Sequence, residues 1–100
     1  MIKYYKGYND YKHIGFRKST RKGKKYDAIL EHKKTKVKKY IPFGAMGYQQ
    51  YKDSTGLNLY SDMDHLDDTR RKSYIARHGA NGYEKVKYSP AYFSYKFLWT

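Results

Sequence analysis

The chain has 100 residues, no cysteine, and 22 Lys and Arg against 9 Asp and Glu, for a formal net charge of +13. That length allows one small domain with a thin core, and the missing cysteine excludes disulfides, cysteine-ligated zinc and thiol catalysis. No apolar run approaches membrane-spanning length and no apolar core follows the first residues, so neither a membrane span nor a secretory signal is expected.

The charge is unevenly placed. Residues 1–40 hold 14 basic and 3 acidic residues, a net of +11, while residues 41–100 hold 8 and 6, a net of +2. A positive field of this kind is drawn to polyanions or acidic protein surfaces. Tyrosine supplies 14 residues, against four Phe and one Trp. Its flat apolar body and polar tip suit wet contacts better than a sealed core. The composition therefore points to a binding or assembly protein before an enzyme.

Residues 1–24 read as a basic, Tyr/Lys-rich arm preceding a single small domain over 25–100. Tyr4, Tyr5, Tyr8 and Tyr11 alternate with lysines without a clean period, and Arg17, Lys18, Arg21, Lys22, Lys24 and Lys25 form a basic run with little to bury. Residues 25–43 read as a β-hairpin. Tyr26, Ala28 and Leu30 share one strand face; a polar turn at 32–35 follows; the returning strand sets Val37, Lys39 and Ile41 opposite Lys36, Lys38 and Tyr40. Lysines on both faces mark this second strand as an edge, and Pro42 is expected to end it.

Residues 44–64 are rich in turn residues but carry Phe43, Met46, Tyr48, Tyr51, Leu57, Leu59 and Tyr60 within or beside them, so the segment is expected to wrap over the core. A helix is predicted from Asp64–Asp67 to His78. Aspartates stand at its positive end, Arg77 and His78 at its negative end, and Gly79 is the expected cap before a turn at Gly79-Ala80-Asn81-Gly82. Asp67 and Asp68 precede Arg71 and Lys72 by four residues, the favourable order for ion pairs. Arg70, Ser73, Tyr74 and Arg77 share one side of that helix. A second short helix is expected from Ser89, with Pro90 at its first position. The fold class is thus α+β: a small antiparallel hairpin or three-stranded sheet packed by one or two short helices, with an extended N-terminal arm.

Several residue sets are candidates for function. Arg17, Lys18, Arg21, Lys22, Lys24, Lys25, Lys36, Lys38 and Lys39 form a strip suited to phosphate neutralisation, with lysine favoured over the bidentate arginine of base readout. Arg70, Arg77 and His78 form a possible anion clamp, set against a plain helix ending in which the aspartates pair the arginines. Asp62, Asp64, His65, Asp67 and His78 invite a metal reading, but their spacing matches no compact ligand motif and capping explains half of them; no metal and no cofactor is expected. Tyr92, Phe93, Tyr95, Phe97 and Trp99, with the N-terminal tyrosines, either complete the core or dock on a neighbouring subunit.

The run Ser19-Thr20-Arg21-Lys22-Gly23-Lys24-Lys25-Tyr26, then Phe43-Gly44, then Tyr60-Ser61-Asp62 with His65 and Asp67, then the basic helix ending Arg77-His78, then Phe93-Ser94-Tyr95-Lys96-Phe97-Leu98-Trp99, resembles a family of small basic proteins of large DNA viruses and tailed phages. The likeness spans residues 17–99; residues 1–16 have no counterpart in it, the loop at 45–59 is long, and relatives often carry Trp at the position of Phe93. It implies a viral origin and a structural role. With a thin core, an extended arm and many tyrosines that call for neighbours to supply buried surface, the expected function is non-enzymatic: a minor capsid or cement-type component of the virion, assembled in the host cell, bridging capsid proteins as its partners. The alternative is a nonspecific nucleic-acid-binding or genome-condensing protein acting through residues 1–40. A distant third is a metal-dependent nuclease using His65, Asp67 and His78.

Overall fold

A computed structural model describes residues 3–5, 7–81 and 86–100, with side chains described at 4–5, 7–77 and 86–100. The elements in chain order are β1 (Lys3–Tyr4), β2 (Tyr11–Lys18), β3 (Lys24–His32), β4 (Lys38–Ala45), α1 (Asp68–Asn81), β5 (Val86–Lys87) and α2 (Pro90–Leu98). The fold is α+β, with a three-stranded antiparallel sheet in the order β2-β3-β4 and a separate parallel pair of β1 with β5.

β3 is the central strand, and its alternation produces the core directly. Tyr26, Ala28 and Leu30 are all fully buried, joined by Ile41 and Phe43 of β4 and by Tyr88, Phe93 and Leu98. α2 lies over β4, with Phe93 and Leu98 turned inward. Ser89 caps it by accepting from the Tyr92 N–H at 3.1 Å, and Pro90 occupies the first turn as expected. Gly44 lets α2 pack tightly on β4: it has φ 78°, and a Cβ there would stand 3.0 Å from Leu98 Cδ1. Gly23, at φ 85°, turns the chain between β2 and β3.

Three expectations are corrected. Residues 11–18 of the supposed arm are strand β2, paired with β3 from Tyr11↔His32 to Lys18↔Tyr26. A register shift between His13 and Gly15 leaves Ile14 exposed and breaks the two-residue period that marks a strand. Met1, Ile2 and Lys6 of that arm lie outside the described residues. Pro42 does not end β4, which continues to Ala45; on an edge strand a proline's missing N–H costs nothing when it faces outward. α1 begins at Asp68 and continues through Gly79 to Asn81, while Gly82 of the expected turn lies outside the described residues. Its N-cap is Asp67, whose carboxylate accepts from the N–H groups of Thr69 (2.9 Å) and Arg70 (3.2 Å). The ion pair that forms on this first turn is Asp68–Arg71, at 3.5 Å.

The β3–β4 turn lacks glycine and is built by other means. Lys36 adopts φ 64°, and the His32 ring accepts at Nδ1 from the N–H groups of Lys34 and Thr35. The loop from 46 to 66 does wrap the core. Its backbone N–H groups at Lys52 and Ser54 donate to the Leu98 and Phe97 carbonyls, and Tyr60 packs edge-on against Tyr26. Among the described residues no helix is long and apolar enough to cross a membrane.

Candidate nucleic-acid interface

A cavity of about 500 Å³ opens between the start of β3, the end of β4, residues 48–50, one face of α1 and the inner side of α2. Its walls carry four cationic residues, Lys24, Lys25, Arg70 and Arg77, and among the described residues no carboxylate lines it. Tyr48, Phe43, Leu98 and Trp99 add an apolar and aromatic surface. A second hollow of about 510 Å³, lined by Thr69, Ser73 and Ala76, shares Arg70, Arg77 and Trp99 with the first.

Local structure explains each wall. Arg70, Tyr74 and Arg77 lie three or four residues apart and so fall on one side of α1. Tyr74 is buried and stacks on Trp99, with ring centroids 4.2 Å apart and 2° between planes; this stack seats α1 against the end of α2. Arg70 donates to Gln49 Oε1 at 2.6 Å, which ties the helix to the 48–50 segment. Arg71, pointing away, sits over the Tyr51 ring at 5.2 Å.

The 48–50 wall is held by a buried polar network. Lys25 is 2% exposed, and its ammonium donates to the Tyr48 carbonyl and to Gln50 Oε1. Gln50 in turn donates to Asp64 Oδ1 (2.7 Å) and the Tyr60 carbonyl (2.9 Å). The same Asp64 oxygen receives the Asp53 N–H, and Tyr26 donates its hydroxyl proton to Asp53 while accepting from the Leu59 N–H. Burial lowers the Lys25 pKa, opposed by the charges of Asp53, Asp64 and Asp62. Burial, reinforced by the Asp53 hydrogen bond, pushes the Tyr26 phenol up to about 12.

The basic residues singled out in the sequence separate into distinct places. Lys24 lines the cavity, whereas Lys25 is a correction: its charge is turned into the network and is not a free phosphate contact. Arg17 is held by Asp27, which also takes the Ser19 hydroxyl, and its guanidinium lies 3.6 Å from the centre of the Tyr40 ring. Lys18, Arg21 and Lys22 are exposed around the β2–β3 turn. Lys36, Lys38 and Lys39 are exposed at the other end of the sheet, beside Lys33 and Lys34. Arg70 and Arg77 do share one cavity; the His78 side chain lies outside those described.

The aromatic residues expected to dock on a partner mostly pack on one another. Phe93 is fully buried and offers no outer surface, which corrects its place among docking residues. Phe97 and Trp99 are half-buried against the core, and Tyr92 and Tyr95 are half-buried on α2. Tyr5, Tyr8, Tyr11 and the His32 ring form a run of ring contacts beside β2, leaving Tyr4, at 41%, the most exposed of the set.

Three of the acidic and histidine residues, Asp64, His65 and Asp67, have structural partners. Asp64 serves the buried network, Asp67 caps α1, and His65 Nδ1 accepts from the Asp67 N–H at 2.9 Å. Burial, with the Arg70 charge, lowers the His65 pKa. Among the described residues no group of three or more His, Asp and Glu is placed to hold a metal.

Sequence reasoning missed Tyr48, Gln49, Gln50 and Ser94 as cavity residues. No local pattern marks them, because the cavity exists only once α1 and α2 converge on the start of β3. Tyr74 was placed on one helix side with Arg70 and Arg77 but was not singled out as a site residue.

No curated protein and no solved structure matches the chain. The profile of a family of unknown function, DUF5754, matches residues 14–78, which take in most of β2, all of β3 and β4, the wrapping loop and most of α1. That match covers more than half of the chain, and the protein belongs to the DUF5754 family.

Proposed function

We propose that this protein is a non-enzymatic binding protein for polyanionic chains, with nucleic acid as the ligand. The observation that carries the reading is the cavity beside α1, with four cationic residues in its walls and no carboxylate among its described lining residues. Cations gathered along one cavity bind phosphate and release its condensed counterions. The exposed lysines of the two turns extend the positive field. The capping and network roles of Asp64, His65 and Asp67 favour binding over hydrolysis.

The test is affinity for duplex and single-stranded DNA of unrelated sequences as a function of salt. Binding that persists near physiological salt, falls linearly with the logarithm of salt, ignores sequence and weakens on Arg70→Gln with Arg77→Gln supports the reading. Binding that vanishes by that salt, or is indifferent to both arginines, overturns it.

A second reading, a minor capsid or cement-type component of a virion that bridges larger subunits, is favoured by exposed apolar side chains beyond the cavity. Leu59 is 50% and Leu66 61% exposed on the wrapping loop, and Val37 is 53% exposed on the β3–β4 turn. Association with capsid protein that survives nuclease treatment and is lost on Leu59→Ser with Leu66→Ser supports that role; association lost to nuclease returns the protein to the first reading.

A further inference from the structure

We infer that the cavity selects unpaired nucleotides, so that the ligand is single-stranded nucleic acid engaged by both phosphate and base. The inference rests on the polyanion-binding reading and deepens it. A site for phosphate alone needs only cations. This cavity pairs Lys24, Arg70 and Arg77 with Tyr48 and Trp99 on adjoining walls, and Gln49 stands beside Arg70. A flat apolar group carrying a negative charge matches both kinds of wall, and an unpaired nucleotide is such a group. A duplex keeps its base faces stacked inside and can present only phosphate.

Size and surroundings agree. About 500 Å³ is the volume of a site for one small molecule, enough for a single nucleotide. Tyr48 is 71% exposed, the highest among the described large hydrophobic side chains, although its own carbonyl is anchored by the buried Lys25. An exposed ring on a fixed backbone is a platform on which a base can stack at little ordering cost.

The second hollow explains why a chain fits better than a free nucleotide. It lies across Arg70 and Arg77 from the first and shares Trp99. The two arginines are seven residues apart, about 10.5 Å along the helix axis. Phosphates along one strand meet both, and nucleotides of that strand fill the two hollows.

Trp99 is the chain's one tryptophan and lines both hollows, so its emission reports occupancy directly. The experiment titrates the full-length protein with a short oligodeoxythymidylate, with duplex DNA and with inorganic polyphosphate, at equal phosphate and fixed salt. The expected result is about tenfold tighter binding of the single strand than of the other two, with a change in Trp99 emission that only the single strand produces. Tyr48→Ala brings the single strand down to the duplex value and Tyr48→Phe retains the preference; an unchanged thermal transition for both variants separates this from loss of fold. Equal affinity for all three ligands, or a preference that survives Tyr48→Ala, overturns the inference while the polyanion reading stands. Absence of binding to any of them overturns both.

Discussion

The two ends of the sheet are both strongly basic and are otherwise unlike. At the β3–β4 turn, Lys33, Lys34, Lys36, Lys38 and Lys39 stand in solvent, and neither cavity involves them. At the other end, Lys24, Arg70 and Arg77 line walls with Tyr48, Gln49 and Trp99, fixed by the Tyr74–Trp99 stack and by the buried network behind residues 48–50. The first end has charge and freedom; the second has charge, shape and an aromatic wall. Exposed, flexible lysines act through a screened field, whereas cations on a preorganised surface add directional contacts. The comparison teaches that local net charge is a poor guide to where a ligand is held.

Five changes break or sharpen that contrast. The largest effect is expected from Arg70→Gln with Arg77→Gln, which removes two charge-assisted contacts and is predicted to weaken single-stranded DNA binding about 100-fold and lower the salt slope by about two. Fluorescence anisotropy across a salt series measures both. Next is Gln50→Leu, which leaves the Lys25 ammonium and the Asp64 carboxylate short of a partner inside the protein. It is predicted to cost roughly 2 kcal/mol of stability and to loosen the cavity wall, read by urea unfolding beside DNA affinity. Lys25→Met is expected to cost less than Gln50→Leu, because it also removes a desolvated charge; the reverse order contradicts the account of the network.

A smaller effect is expected from Lys33→Gln, Lys34→Gln and Lys36→Gln together: a loss of about fivefold, equal for single strand and duplex. A drop larger than that of the arginine pair reverses the comparison. The smallest effect at working pH concerns Tyr26. Its pKa is raised from 10.0 in the unfolded chain to about 12, so between those values the folded state holds a proton that the unfolded state has lost. The stability it contributes is fully present below pH 10 and declines as pH rises toward 12. Tyr26→Phe is expected to flatten that decline in thermal unfolding followed over this range.

What was legible in the sequence follows from local chemistry. Alternation at Tyr26, Ala28 and Leu30 predicted the central strand's buried face, Ser89-Pro90 predicted the start of α2, and the spacing of Arg70, Ser73, Tyr74 and Arg77 predicted the helix side that lines the hollows. A three-stranded sheet was foreseen as one form of the fold, yet residues 11–18 read as an arm. The shift at Ile14 breaks the alternation, and His13, which packs at 4.7 Å from Phe16 and 5.1 Å from Phe93, does not look like a core residue. Lys25 read as a surface charge because its acceptor, Gln50, is 25 residues away. The cavity was invisible for the same reason: it is a product of tertiary packing between segments with no sequence pattern in common.

The central claim is that the ligand sits at the α1 end and not at the lysine-rich turn. Amide chemical shifts followed by NMR during titration with a short single-stranded oligonucleotide test it most directly. The account predicts the largest changes at Lys24, at residues 48–50, along 70–77 and at Trp99, with small changes over 33–39. Changes concentrated at 33–39, with the α1 end unmoved, contradict it.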